Sequence, residues 1–138
     1  MRGTAYIDGS CIGNPGDAAY AIILLDESGN TFESVGRYIG KATNNIAEFN
    51  GLLGCLRLAV KYGINTLTVY SDSQLLVNQV NGLYKIKQPH LREIHNQIRK
   101  AAESGSIRYT IHHISREENK TADGLARRAA RIRGDIQE

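Results

Sequence analysis

The chain has 138 residues, of which 17 are Lys or Arg and 14 are Asp or Glu, so its formal net charge is +3. This length suits one domain with one hydrophobic core, and 41% apolar residues with only two Pro exclude a disordered or collagen-like chain. No apolar run approaches the roughly 20 residues that cross a bilayer, and the first residues lack the layout of a signal peptide. We therefore expect a soluble, cytoplasmic protein with no membrane partner and with both Cys reduced.

The charge is unevenly distributed along the chain. Residues 1–84 hold 5 basic and 7 acidic side chains, whereas residues 85–138 hold 12 basic and 7 acidic ones. A pI near 8.9 is by itself a weak indication of a nucleic-acid partner. The second half is therefore where a polyanion-binding surface is expected.

The N-terminal part predicts a meander of three strands. Residues 4–8 form a short apolar strand, and residues 9–16 form a loop by their Gly, Asn and Pro content. Residues 18–26 are a continuous apolar run. After a turn at residues 27–30, the alternating segment 31–39 returns as the second arm of a hairpin.

An amphipathic pattern next predicts a long helix over about residues 44–62, with Gly63 at its C-terminal end. Gly51 and Gly54 each cost this helix about 1 kcal/mol relative to Ala. With the small side chains beside them they form a stripe that is poor in bulk. We therefore expect this helix to approach a sheet closely.

The rest of the chain alternates between strands and helices. The predicted elements are a strand at 66–70, a short helix at 74–80, a helix after Pro89 that stops near Gly105, a strand at 107–114 and a basic helix at 121–132. Helices between the later strands imply parallel crossovers. We therefore predict one α/β domain over residues 1–138, with the order βββαβααβα and a five-stranded mixed sheet flanked by helices.

Four acidic residues lie where a solvated surface would not put them. Asp8 and Asp72 each end an apolar strand, and such side chains face the crevice where α/β sheets bind ligands. Glu48 lies one turn into the first helix, and Asp123 lies in the first turn of the last. Converging carboxylates need cations among them, and hard oxygen ligands suit Mg²⁺ or Mn²⁺, two of which can promote phosphodiester cleavage. Taken singly, each acid is also explained as a cap or turn residue.

Four sequence blocks carry these acids. They are Asp-Gly-Ser-Cys-Ile-Gly-Asn-Pro-Gly at 8–16, Thr-Asn-Asn-Ile-Ala-Glu at 43–48, Tyr-Ser-Asp-Ser-Gln at 70–74 and Arg-Glu-Glu-Asn-Lys-Thr-Ala-Asp-Gly-Leu-Ala at 116–126. Together, and in this order, they resemble the motifs of type 1 ribonuclease H over residues 4–129. The resemblance implies a ribonuclease H-like fold and an endonuclease that cuts the RNA strand of RNA–DNA hybrids, leaving 5′-phosphate and 3′-hydroxyl ends.

The resemblance also implies roles for individual residues. The catalytic and metal-binding residues, for two Mg²⁺ ions or Mn²⁺ in their place, would be Asp8, Glu48, Asp72 and Asp123. The residues that contact the hybrid would be Ser10, Cys11, Asn14, Thr43, Asn44, Asn45 and Gln74. Side-chain amides suit recognition of the 2′-hydroxyl, although helix capping also explains Asn44 and Asn45.

His113 is a further catalytic candidate by resemblance. It lies ten residues before Asp123, as does a His that assists proton transfer or product release in many bacterial members. The alternation of the last predicted strand offers another interpretation, in which His113 is a fixed residue at the end of a strand.

The chain departs from some bacterial members of that family. They insert a basic, Trp-containing helix where this chain has a short connection at residues 83–90, in which Lys85 and Lys87 are the only Lys or Arg. No N-terminal hybrid-binding module is expected, because Asp8 is almost at the start. The basic last helix is explained equally well by substrate binding and by a solvated face; its arginines are Arg127, Arg128, Arg131 and Arg133.

Two competing functions stay open. A metal-dependent exonuclease of the same broad fold usually has Asp-x-Glu on its first strand, whereas this chain has Ser10 at the third position. A non-catalytic hybrid-binding module would be marked by the loss of a carboxylate, and none of the four is lost. Nothing in the sequence demands a protein partner or more than a monomer.

Overall fold

The computed structural model describes residues 1–138 as a mixed sheet with helices on both faces. In chain order the elements are β1 (Arg2–Ile12), β2 (Gly16–Asp26), β3 (Thr31–Ala42), α1 (Asn44–Lys61), β4 (Thr66–Ser71), α2 (Gln74–Val80), α3 (Pro89–Ser104), β5 (Arg108–His113), a 3₁₀ helix (Arg116–Asn119), α4 (Lys120–Ile132) and β6 (Ile136–Gln137). The strands lie in the order β5-β4-β1-β2-β3-β6. The α/β class and the mixed sheet are confirmed.

Strand β1 is the centre of the sheet. On one side β2 and then β3 pair antiparallel, as the apolar meander predicts. On the other side β4 and then β5 pair in parallel, because the helices between these strands supply the crossovers that parallel pairing requires. Ile7 lies beside Ser71 in the β1–β4 register. Asp8 and Asp72, the next residues of each segment, therefore come together where the pairing of these two strands ends.

Helix α1 packs closely on one face of the sheet. A Cβ atom built on Gly54 would lie 2.9 Å from the hydroxyl oxygen of Tyr20 on β2, and one on Gly51 would lie 3.4 Å from the Cβ of Tyr20. At Gly54 even a methyl group would crowd Tyr20, whereas at Gly51 it would make an ordinary van der Waals contact. The predicted stripe of small residues is therefore the surface by which α1 contacts β2, and α3 joins α1 in the same core.

Helix α4 covers part of the opposite face. Its small and apolar residues Ala122, Leu125 and Ala126 pack against Ala21 and Ile23 of β2. Its arginines lie on the exposed side of the helix. None of the four helices combines the length and the apolar character that crossing a membrane requires.

The sheet has six strands, so the prediction of five was wrong. β6 contains only Ile136 and Gln137, which pair antiparallel with Gly36 and Val35 at the free edge of β3. Two residues are too few to show an alternating pattern, so the sequence gives no sign of this strand. It forms because the chain reverses after α4 at Arg133, whose φ of 52° is left-handed, and returns along the β3 edge.

Two other strands are longer than predicted. β1 continues to Ile12, into the segment predicted as a loop, and β3 continues to Ala42, beyond its predicted end at residue 39. Both extensions pair with β2: Ile12 lies opposite Asp17, and Ala42 lies opposite Gly16. The polar residues after Asp8 are therefore held by a ladder of backbone hydrogen bonds.

Candidate active site

Three carboxylates meet at the carboxyl end of β4. Asp8 of β1 is 5% exposed and Glu48 of α1 is 3% exposed, while Asp72 follows β4 and is half-buried. One oxygen atom of each lies within 4.8 Å of the other two. Two neighbouring strands and one helix thus bring together acids that are far apart in the sequence.

The position of Glu48 depends on how α1 begins. The Thr43 hydroxyl caps the helix by accepting a hydrogen bond from the Ile46 amide at 3.2 Å. One turn later Glu48 reaches β1, where the Gly9 amide donates a hydrogen bond to its carboxylate. A backbone donor from the strand that carries Asp8 therefore orients the Glu48 side chain.

Gly9 has no room for a side chain, so Gly9→Ala is expected to destabilise the protein. A Cβ atom at Gly9 would lie 2.8 Å from the Glu48 amide nitrogen and 3.0 Å from the Ala47 carbonyl carbon, and both are backbone atoms of α1. We expect the free energy of unfolding to fall by roughly 1–3 kcal/mol, as for other overpacked sites. Urea unfolding measures the change.

Gly124→Ala is the matched control, because a Cβ atom at Gly124 of α4 meets no atom within 4 Å. In that helix Ala is expected to raise the free energy of unfolding by about 0.5–1 kcal/mol. Equal effects of the two substitutions would contradict the close approach of β1 to α1.

Helix α4 brings the fourth acid. Asp123 lies in its first turn, and Oδ1 of Asp123 accepts a hydrogen bond from Nε of Arg127 at 3.2 Å. Asn119, 2% exposed, donates from Nδ2 to the carbonyl of Ile7 at 2.8 Å. This bond ties the start of α4 to the strand that carries Asp8. All four acids line one cavity of about 540 Å³.

The electrostatics of the cluster call for a cation. Burial, followed by the charges of Glu48 and Asp72, raises the pKa of Asp8 to about 10. Burial and the charge of Asp72 likewise raise the pKa of Glu48 to about 7, against the hydrogen bonds that Glu48 accepts. The ligand atoms are all hard carboxylate oxygens, and a divalent cation among them would relieve their repulsion. The residues present therefore fit a divalent metal site.

Three of the residues implied to contact the hybrid line this cavity: Ser10, Cys11 and Asn44. The Asn44 amide donates to Oδ1 of Asn14 at 3.0 Å, which joins the turn after β1 to the start of α1. Thr43 provides the helix cap, so capping does not explain the Asn44 side chain. That side chain remains free to contact a ligand in the cavity.

Asn45 and Gln74 lie outside the cavity lining. Nδ2 of Asn45 donates to Oε1 of Gln79 at 3.2 Å, and the buried Oδ1 of Asn45 has no partner. Gln79, 8% exposed, in turn donates to the Lys85 carbonyl at 3.3 Å. Gln74 is the exposed first residue of α2. Asn45 is thus fixed by a side chain of α2, and it does not cap α1 either.

His113 is the exposed last residue of β5, where it pairs with Ser71 of β4. It is not among the residues that line the cavity of the four acids. Its place favours the strand-end interpretation, and the catalytic role implied by resemblance is left to the test of His113→Ala below.

Three arginines line the cavity with the acids: Arg116, Arg127 and Arg131. The positions of Arg127 and Arg131 are predictable from the sequence. They follow Asp123 at intervals of four residues, so all three share one helix face. Arg116 is the first residue of the block that carries Asp123, whereas the hydrogen bonds of Asn119 and Gln79 have no sequence signal, since they depend on how distant segments meet.

Known proteins resemble both the sequence and the fold. Residues 6–129, which include all four acids, match the protein family described as reverse transcriptase-like. The chain is 36% identical over 125 residues to ribonuclease HI of Halobacterium salinarum, a match that covers 91% of this chain. The chain spans 62% of the length of that relative.

Solved structures agree over nearly the whole chain. The N-terminal RNase H domain of a Mycobacterium tuberculosis protein superposes with a TM-score of 0.90 at 33% identity, covering 96% of this chain and 95% of that one. LC11-RNase H1, in complex with an RNA/DNA hybrid, superposes with a TM-score of 0.89 at 34% identity, covering 95% and 98%.

Proposed function

The chain belongs to the reverse transcriptase-like family and is similar in sequence to ribonuclease HI, and from this we propose that it is a ribonuclease H. It hydrolyses the RNA strand of RNA–DNA hybrids internally, leaving 5′-phosphate and 3′-hydroxyl ends. The observation that carries the proposal is the complete set of four carboxylates around one cavity. The complex of LC11-RNase H1 with an RNA/DNA hybrid supports the choice of substrate.

The cofactor we propose is Mg²⁺, with Mn²⁺ as a substitute and two ions at the site. Asp8, Glu48, Asp72 and Asp123 would hold them through carboxylate oxygens. When bound, such ions lower the pKa of the attacking water and neutralise charge on the phosphate and on the departing 3′-oxygen. We expect Asp8 to tolerate substitution least, because it clusters with Glu48 and Asp72 and lines the same cavity as Asp123.

The protein's own groups position the ligands and the substrate. The Gly9 amide fixes the orientation of Glu48, and the Asn119 side chain fixes the start of α4 relative to β1. Ser10 and Asn44 in the cavity wall offer donors and acceptors to a 2′-hydroxyl, the group that distinguishes RNA from DNA. We propose further hybrid contacts at Cys11, Asn14, Thr43, Asn45 and Gln74.

A substrate panel tests this function. The purified protein is incubated with a labelled RNA–DNA hybrid, duplex RNA and duplex DNA, each in Mg²⁺, in Mn²⁺ and in EDTA. We expect cleavage of the RNA strand of the hybrid with either metal, none in EDTA, and intact duplex DNA. Binding of the hybrid without cleavage in either metal would instead favour the non-catalytic module. Size-exclusion chromatography of the same sample is expected to give a monomer.

His113→Ala is expected to lower kcat for the hybrid by less than about threefold, under 1 kcal/mol of transition-state stabilisation. The reason is that His113 is exposed at the end of β5 and does not line the cavity. Steady-state cleavage rates of the variant and the wild type measure it. A general acid or base contributes about 10²–10⁴-fold, so a loss of that size would establish His113 as catalytic.

A further inference from the structure

The arginines at the end of the chain differ in their partners. Arg127 pairs with Asp123, Arg128 pairs with Glu138, and Arg133 pairs with Asp17 at 3.1 Å. Arg131 has no carboxylate within 4.0 Å, although it lies on the same short segment. Three of the four charges therefore serve contacts within the protein, and one does not.

Arg131 also lines the cavity of the four acids. It lies one turn beyond Arg127 on the same face of α4, and both line the cavity of the four acids. Cys11 and Ile12 at the end of β1 also line this cavity. A cation at the C-terminal end of a helix also interacts favourably with the helix dipole. The helix dipole favours a cation anywhere around the last turn of α4. It therefore does not explain why the Arg131 side chain lines the cavity.

The chemistry of the cavity wall indicates what Arg131 binds. Only 2 of the 13 lining residues are hydrophobic, and the lining combines four acids with three arginines. A guanidinium binds phosphate oxygens through paired hydrogen bonds and keeps its charge at any physiological pH. If the scissile phosphate of the RNA strand lies at the acids, the neighbouring phosphates of that strand lie along the same cavity. There the unpaired Arg131 would contact one of them.

We propose that Arg131 binds a backbone phosphate of the cleaved strand beside the scissile one. The inference rests on the proposed function and assigns a substrate-binding residue within it. Neither lysine of the short connection after α2, Lys85 or Lys87, lines this cavity, and Lys85 lines a different one. Arg128 and Arg133 are occupied elsewhere. The basic character of α4 is thus divided between ion pairs within the protein and one substrate contact.

Arg131→Ala and Arg128→Ala test this inference as a matched pair. Each removes one Arg from an exposed position of α4, but only Arg131 lines the cavity. Steady-state cleavage of a labelled hybrid is measured in Mg²⁺ over a series of NaCl concentrations. We expect Arg131→Ala to raise KM by about tenfold with kcat within twofold, and to reduce the slope of log KM against log salt by about one. Arg131→Lys is expected to retain most of the slope, because it keeps the charge.

The outcomes separate the two proposals. If the wild type cleaves the hybrid and Arg131→Ala matches Arg128→Ala in both KM and salt slope, the phosphate contact is wrong while the function stands. A fall in kcat at unchanged KM would also overturn it, since that would place Arg131 in the chemical step or in the fold. If the wild type neither cleaves nor binds the hybrid, both proposals fall together.

Discussion

Asp8→Asn is expected to slow cleavage of the hybrid by at least about 10³-fold, because it removes one charged ligand from the proposed metal site, whose ions would stabilise the transition state by several kcal/mol. Asn has nearly the size of Asp, so the packing around the 5%-exposed side chain is kept. Single-turnover cleavage of a labelled hybrid in Mg²⁺ measures the loss. Affinity for the hybrid is expected to change far less than the rate.

Asp26→Asn is the matched control for charge. Asp26 lies in the turn between β2 and β3, outside the cavity, where its carboxylate accepts hydrogen bonds from the amides of Ser28 and Asn30. Asn can accept at the same position, so this variant is expected to cleave within twofold of the wild type. Undiminished cleavage by Asp8→Asn would remove the four acids from the reaction.

The same substitution is expected to stabilise the metal-free protein at pH 8. In the folded chain the pKa values of Asp8 and Glu48, about 10 and about 7, lie above the roughly 4 of an unfolded carboxyl. Between these values the folded state binds more protons than the unfolded state, so its stability falls as pH rises. At pH 8 folding must protonate Asp8, which is ionised in the unfolded chain, and Asn carries no such cost, so the free energy of unfolding is expected to rise by at least about 1.4 kcal/mol, the worth of one pKa unit.

Urea unfolding in EDTA at pH 5.5 and pH 8 measures this effect. The wild type is expected to lose stability between the two values, and Asp8→Asn is expected to lose less. His95, whose pKa is lowered by burial, contributes the opposite slope, but it does so equally in both proteins. Mn²⁺ should stabilise the wild type more than the variant. A variant less stable than the wild type in EDTA at pH 8 would contradict the buried repulsion.

The elements that carry the acids were predictable because each has a local signal. Asp8 and Asp72 end apolar runs, and α1 has both an apolar stripe and a capping Thr43. Parallel crossovers then bring the ends of β1 and β4 together, so the convergence of Asp8 and Asp72 follows from topology. β6 was not predictable, since two residues have no pattern and their pairing depends on the chain reversal at Arg133.

The contacts that refine the site depend on tertiary structure. Asn119 reaches Ile7 across 112 positions of the sequence, and Gln79 reaches Asn45 across 34. Neither hydrogen bond leaves a local pattern, because the partners meet only when the sheet and helices are assembled. The different roles of the α4 arginines are hidden for the same reason: their carboxylate partners Asp17 and Glu138 come from the distant β2 and from the C-terminal end.

The chemical identity of the new ends is the most direct test of hydrolysis at this cavity. A hybrid with a labelled RNA strand is cut in Mg²⁺ by the wild type, and the product ends are identified by phosphatase treatment and ligation. Attack by water at a carboxylate-held metal site predicts 5′-phosphate and 3′-hydroxyl ends, absent with Asp8→Asn. Products that carry a 2′,3′-cyclic phosphate and a 5′-hydroxyl would show attack by the RNA's own 2′-hydroxyl, and would contradict the proposed reaction.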